Sequence, residues 1–287
     1  MADRSTYAVE FHTLGRFEVI VDGKPTTRWR AGKARSLAQY LLLHPGRVIP
    51  RDVLFEALWP KLDAPRSSLK VAVHMLRNIL TSEHAGANGK TDSGIRIVTH
   101  ECGYSMEINN VWIDFQEFDS LIRRTQSEGN NAPRRQVLTN LRAAADLYQG
   151  EFLPGTTMPW AEPQREWLRS LALSALRRLV AAATQDGDDM GIVHYGCRLI
   201  EIEPLHEETY RTLIRLNGQL GQIGQADRWY KLCASRLRKD IGIGPDEETR
   251  SVYSQAVRGE LITNSGRPAV PLKRQSSCAA GSQHPAA

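Results

Sequence analysis

The first part of the chain changes its hydrophobic period twice. Phe17, Val19 and Val21 alternate with Glu18, Ile20 and Asp22, a period of two that predicts strands over residues 9–27. Asp22-Gly23 supplies the turn of a hairpin, because Gly accepts the positive φ such turns need. From Ala34 the period becomes helical: Ala34, Leu37, Ala38, Leu41 and Leu42 fall at i, i+3, i+4, i+7 and i+8, and His44-Pro45-Gly46 ends the run. A short second helix follows Pro50, with Val53, Leu54, Ala57 and Leu58 inward and Trp59-Pro60 closing it. A third runs from about Arg66 to Leu80, with Leu69, Val73, Leu76 and Leu80 on one face. Its opposite arc carries Ser67, Ser68, Lys70, Val71, His74, Arg77 and Asn78. After a polar, Gly-rich loop at 84–94, Ile95, Ile97 and Thr99 alternate, Glu101-Cys102-Gly103 turns, and Tyr104, Met106 and Ile108 alternate again. That pattern predicts a closing β-hairpin.

Beyond Asp114 the pattern is helical throughout. Segments near 115–128, 134–149, 163–185, 189–202, 206–220, 223–240 and 246–258 are separated by Gly, Pro or Asp clusters, as in stacked helical hairpins. Gly221, Ala226 and Tyr230 stand at tetratricopeptide-like spacing: a tight turn, a close helix contact and a filler between repeats. Trp160, Trp167, Tyr195, Tyr210, Trp229 and Tyr230 are expected to pack between repeats, with a peptide- or ligand-binding groove as the competing reading. Residues 263–287 are rich in Ser, Pro, Gly, Ala and Gln, a composition expected of a disordered tail. The expected organisation is an α+β winged helix-turn-helix at 1–110, an all-α tetratricopeptide-like repeat domain at 111–262, and the tail.

Charge sharpens this division. Residues 1–110 carry 15 Lys+Arg against 11 Asp+Glu, residues 111–262 carry 19 against 21, and the last 25 carry three basic residues and no acid. A basic module beside a mildly acidic one suggests a polyanion for the first. Other functions find no support. The four cysteines are far apart and form no CxxC, so neither a disulfide scaffold nor a zinc site is expected, and a reducing cytoplasm fits. No apolar run approaches the ~20 residues of a membrane span, and the N-terminus lacks a signal-peptide core. Gly89-Lys90-Thr91 ends like a P-loop, but His84 stands where that motif needs Gly. There is no HExxH, GxSxG or GxGxxG. No metal, cofactor or catalytic residue is therefore expected, nor an enzyme.

Strands, three helices and a closing hairpin, in that order, make a winged helix. Its third helix enters the major groove of double-stranded DNA and its hairpin lies over the backbone or the adjacent minor groove. On this reading the arc from Ser67 to Asn78 reads bases. The competing reading is a solvated helix face, with Arg77 packed or paired inside the domain. Arg28, Arg30, Lys33 and Arg35, with Trp29 among them, are candidates for phosphate anchoring, as are Thr99, His100 and Tyr104 of the hairpin. A basic, solubilising turn is the alternative for the first four.

Several motifs carry a family resemblance. Leu14-Gly15-Arg16-Phe17-Glu18-Val19, Leu54-x-x-x-Leu58-Trp59-Pro60, Ser68-Leu69-x-Val71-x-Val73-x-x-Leu76-Arg77 and Gly103-Tyr104 resemble an OmpR-type winged helix. Leu147-Tyr148-x-Gly150-Glu151-Phe152-Leu153, Trp160-Ala161-Glu162, Glu203-Pro204-Leu205-x-Glu207, Gly221-Gln222-x-x-Gln225-Ala226 and Leu237-x-x-Asp240-x-Gly242-Ile243-x-Pro245-Asp246 resemble the bacterial transcriptional activation domain (BTAD). Together, over about residues 9–260, they are similar to the antibiotic regulatory proteins (SARP) of actinomycetes. Two departures stand out: Met75 where relatives often carry a second Arg, and His100-Glu101-Cys102 before Gly103-Tyr104.

The resemblance implies an activator that binds direct repeats in promoters, acts in the cytoplasm at the nucleoid, and recruits RNA polymerase through its sigma and alpha subunits. Its targets would be genes of a secondary-metabolite cluster, and a homodimer on DNA is open to it. Lys61 and Asp63, in the loop from Pro60 to Pro65, are the candidate polymerase contacts it implies. Larger relatives add an ATPase module after the region matched here, so nucleotide control is not expected. The alternative is a helical-repeat adaptor for a protein or small ligand, with incidental DNA binding or none.

Overall fold

The computed structural model describes residues 7–26, 32–60, 65–83, 94–127 and 133–262. The expected tail at 263–287 lies outside the described residues. The chain divides into two compact units between Pro204 and Leu205.

In the first unit, β1 (Val9–His12) turns Val9 and Phe11 into the core and pairs antiparallel with β2 (Glu18–Val21). β2 pairs in turn with β3 (Lys24–Pro25). The turn between them is Asp22-Gly23, at φ 47° and 75°; two positive φ values match the twist of a tight hairpin. Three helices follow: α1 (Lys33–Leu42), α2 (Arg51–Leu58) and α3 (Ser67–Glu83). Leu37, Leu41, Leu54, Leu58 and Leu76 are fully buried among them. Val53, expected inward on α2, is exposed; α2 covers only two turns and buries Leu54 and Leu58 alone.

β5 (Ile95–Thr99) and β6 (Gly103–Ile108) form the closing hairpin. β6 also pairs with a two-residue strand, β4 (Ile49–Pro50), which the sequence pattern did not reveal. A Cβ on Gly103 would stand 1.9 Å from the Ile49 carbonyl oxygen. The Gly of Gly103-Tyr104 is thus set by the close approach of β4.

A further short strand, β7 (Val111–Ile113), adds parallel to β1 and completes the sheet order β3-β2-β1-β7. It runs directly into α4 (Asp114–Ser127), so the first compact unit continues past residue 110. α5 (Arg134–Leu147), α6 (Glu162–Asp186) and α7 (Asp189–Ile202) follow. One continuous core runs from Val9 and Phe11 through Leu37, Leu76 and Phe118 to Leu176 and Leu199.

The seam within this unit is polar and close-fitting. Asp114 is buried and accepts from the Thr13 N–H (2.6 Å), the Thr13 hydroxyl (2.5 Å) and the Leu14 N–H (2.9 Å). Burial raises its carboxyl above the ordinary value, and the Thr13 and Leu14 donors oppose that rise. Leu14 bridges to Phe152, the Gly15 N–H donates to the Glu151 carbonyl at 2.9 Å, and the Leu153 N–H donates to the Thr13 carbonyl at 2.8 Å. Gly15, at φ 87°, would place a Cβ 2.8 Å from the Gln149 carbonyl.

The second unit contains α8 (Glu207–Gln219), α9 (Ile223–Ile241) and α10 (Glu247–Val257). Gly221 makes the positive-φ turn after α8, Ala226 is fully buried, and Tyr230 stacks on Tyr253 with ring centroids 4.0 Å apart. All three play the parts their spacing predicts. Asp246 caps α10 by accepting from the Thr249 N–H at 2.6 Å. Among the aromatics expected to pack between repeats, Tyr210 is fully buried, but Trp167 on α6 is half exposed and is not core.

Gly15 and Gly23 give a controlled comparison, since both have positive φ but only Gly15 has a neighbour within 4 Å. Gly23→Ala should cost about 1 kcal/mol for the left-handed backbone alone. Gly15→Ala should cost about 3 kcal/mol, because a Cβ must also displace backbone across the seam. Equal losses in denaturant unfolding would show that the seam yields without cost.

Candidate nucleic-acid interface

α3 presents two faces of different chemistry. Leu69, Ala72, Val73, Leu76 and Leu80 are buried against the rest of the unit. Ser67, Lys70, Val71, His74, Met75 and Asn78 are exposed. Their spacing, i, i+3, i+4, i+7, i+8 and i+11, makes one stripe about 17 Å long at the helical rise. Ser68 is half-buried at its edge. The stripe holds no acid, and the Asn78 amide lies 3.1 Å from His74 Nε2. Met75, which the sequence reading set apart only as a departure, stands in the middle of the outward face.

Arg77 differs from the rest of the arc. It is half-buried, and its guanidinium reaches across to β5: Nε and Nη2 donate to the Ile97 carbonyl at 3.2 and 2.7 Å, and Nη2 donates to the Thr99 hydroxyl at 2.8 Å. The planar fork of Arg suits such a double contact. Arg77 therefore joins α3 to the hairpin, and Thr99 receives it.

The hairpin turn is held from a second side by a residue the sequence reading did not single out. Arg51, the first residue of α2, donates through Nη2 to the His100 carbonyl at 2.9 Å and through Nη1 to the Glu101 carbonyl. Its guanidinium also lies 5.6 Å from the centre of the Tyr104 ring. A cation in the first turn of a helix opposes the helix dipole, and that misfit was the available signal. Tyr104 itself is buried, so its ring is part of the hairpin's core rather than a surface contact. His100 is half-buried with Nε2 2.8 Å from the Ser105 hydroxyl. Glu101 and Cys102 are exposed.

The basic cluster is partly engaged inside the domain. Lys33 Nζ donates to the Leu58 carbonyl and sits 5.3 Å from the centre of the Trp59 ring. The Arg35 guanidinium lies 4.6 Å from the centre of the Phe17 ring, and burial lowers its pKa from the ordinary value. Arg28 and Arg30 lie outside the described residues, as do Lys61 and Asp63.

A cavity of about 410 Å³ opens between α5, α6 and α7. Its arginines are taken: Arg165 donates to the Phe152 and Thr156 carbonyls, Arg169 to Ile202 and Glu203, and Arg198 to Tyr148. Burial pushes the Tyr148 phenol up to about 12. The arrangement knits helices together and leaves no convergent donor set for a ligand. Among the described residues no three His, Cys, Asp or Glu side chains are grouped to hold a metal. None of the described helices is long and apolar enough to cross a membrane.

Comparison with known proteins agrees with this architecture. Residues 113–257 match the bacterial transcriptional activator domain, and residues 29–99 match the C-terminal domain of transcriptional regulatory proteins. The chain is 26% identical to the regulatory protein AfsR of Streptomyces coelicolor over 246 residues, covering 83% of this chain and 23% of AfsR. It is 23% identical to the regulatory protein DnrI of Streptomyces peucetius over 252 residues, covering 84% of this chain and 89% of DnrI. The chain thus spans about a quarter of the length of AfsR and most of DnrI. Mycobacterium tuberculosis EmbR, solved with a low-affinity phosphopeptide, shares the fold with a TM-score of 0.64 at 21% identity, over 88% of this chain and 65% of that one. With an activator domain over half its length behind an OmpR-type winged helix, the chain belongs to the bacterial transcriptional activator domain family, among the antibiotic regulatory proteins.

Proposed function

We propose that this chain is a sequence-specific DNA-binding transcriptional activator. It reads direct repeats in promoter DNA through α3 and recruits RNA polymerase, through sigma and alpha, to genes of a secondary-metabolite pathway. It works at the nucleoid, with copies paired on tandem repeats, and carries out no catalytic step. The observation that carries the reading is the acid-free outward stripe of α3, clear of the core and flanked by a hairpin tied to it. The relatives' designation as regulatory proteins supports it. Selection of bound sequences from random DNA tests it: a repeated half-site is expected, and recovery of no preferred sequence would overturn it.

Substitutions at these positions divide the roles. Lys70→Ala and His74→Ala should each weaken binding to the preferred site while the fold survives, since a good base contact is worth roughly 1–3 kcal/mol of discrimination. Unchanged affinity in both would remove α3 from the groove.

Arg77 is proposed as a positioning residue. Arg77→Ala should weaken binding to all sequences alike and speed hydrogen exchange at the β5 amides, and Arg77→Lys should not restore either. Relaxed sequence preference with unchanged exchange would instead make Arg77 a base reader.

Lys61 and Asp63 are proposed as polymerase contacts. The double variant Lys61→Ala/Asp63→Ala should impair transcription in vitro while DNA affinity and thermal stability stay nearly unchanged. Full activation by that variant would exclude the loop charges. A fall only in step with DNA affinity would assign them to DNA recognition.

A further inference from the structure

The outward stripe of α3 contains two large apolar side chains in an otherwise polar setting. Val71 is 55% exposed and Met75 is 53% exposed. They are four residues apart, hence neighbours on one helix face. Lys70, His74 and Asn78 surround them, and no acid interrupts the stripe. Neither side chain serves the core, because Leu69, Ala72, Val73 and Leu76 already fill the inward face. The adjacent Arg77 side chain is held to β5 and is not the group presented between them.

We propose that Val71 and Met75 read thymine, by apolar contact with the C5-methyl groups on the floor of the major groove. This rests on the reading of α3 as the helix in the groove. Of the four bases only thymine offers a methyl there, so an apolar side chain at the helix surface has one base feature to recognise. Four residues of helix advance about 6 Å. That is close to two steps of 3.4 Å along one DNA strand. The two side chains therefore face thymines within about two steps of each other in one half-site. Met75 is long and unbranched and adapts to a methyl at varied depth; Val71 is stiff at χ1 and fixes its own position. Lys70 and His74 supply polar contacts alongside.

Deoxyuridine provides the test, because it removes the methyl and leaves the Watson–Crick edge intact. The preferred half-site from random selection is synthesised with each thymine replaced singly by deoxyuridine, and binding is measured with the wild-type chain, Val71→Ala and Met75→Ala. The expected result is a loss of about fourfold at one or two neighbouring positions, the value of one buried methyl-sized group. Met75→Ala should be indifferent to the replacement at one of those positions and Val71→Ala at the other. Wild-type protein that binds its site specifically but ignores every replacement overturns the inference and leaves the proposed DNA-binding function standing. A loss that persists unchanged in both variants also overturns it, because another group or the DNA shape then senses the methyl. Failure to obtain any preferred site overturns the parent reading and this one with it. The wild-type series needs no altered protein, so it stands even if a variant folds poorly.

Discussion

A buried carboxylate fixes how the first compact unit is put together. Asp114 sits where β7 becomes α4, out of contact with water, and an ionisable group there is costly unless donors surround it. Besides the local Phe115 N–H (2.7 Å), the donors come from the end of β1: both groups of Thr13 and the N–H of Leu14. Position 114 and positions 13–14 must therefore meet. Once they do, Leu14 and Gly15 are laid against Gly150, Glu151 and Phe152, and two motifs far apart in sequence become one seam. The glycines on both sides follow from this contact. A Cβ on Gly15 would meet the Gln149 backbone at 2.8 Å, and one on Gly150 would lie 3.0 Å from Gly15 Cα.

That seam bears on the proposed DNA recognition through α1. Its inward residues Leu37, Ala38 and Leu41 share the core with α3, while Tyr40 meets Trp160 edge-on at 5.2 Å and Gln39 accepts from the Thr156 hydroxyl. The helix that supports α3 is thus itself supported by the segment leading into α6. On its other side α3 is held to the hairpin by Arg77, and the hairpin turn is held to α2 by Arg51. A reading surface on a rigid element braced from two directions keeps its geometry better than one on a loop. The residues that brace it are not those that face outward.

Periodic elements were legible in the sequence because each buries one face, and burial writes its period into the residue pattern. Helices from α1 to α10 lie within a few residues of where that pattern puts them, as do β2, β5 and β6. β4 and β7 were not legible: two and three residues are too short for a period, and both are defined by partners distant in sequence. Arg77 lies at the border of the buried face, one residue after Leu76, where a helical projection cannot separate an outward side chain from one reaching sideways. Only the Ile97 carbonyl beside it decides the matter. Tyr104 is different. It alternates with Met106, which is fully buried, so its burial was written in the pattern and a surface role for it conflicted with that pattern.

The same distinction changes what the basic charge of the first 110 residues means. Lys33, Arg35, Arg51 and Arg77 contribute to its excess of cations, yet each directs its charged group to a carbonyl or an aromatic ring within the unit. Their field still reaches an approaching polyanion, but Lys33, Arg51 and Arg77 already donate to carbonyls within the unit and Arg35 lies over the Phe17 ring. On the outward stripe from Ser67 to Asn78, Lys70 is the one exposed Lys or Arg. A single such helix neutralises few phosphates, and affinity that rests on counterion release grows with the number neutralised. Modest contact by each copy fits the proposed binding to tandem repeats. In that proposal a second copy on the same template would act at high effective concentration, so two weak grips would make a tight one and the spacing between half-sites would be part of what is recognised. In the proposed complex the uncharged groups of α3 add discrimination beside Lys70, and their contacts do not weaken as salt rises.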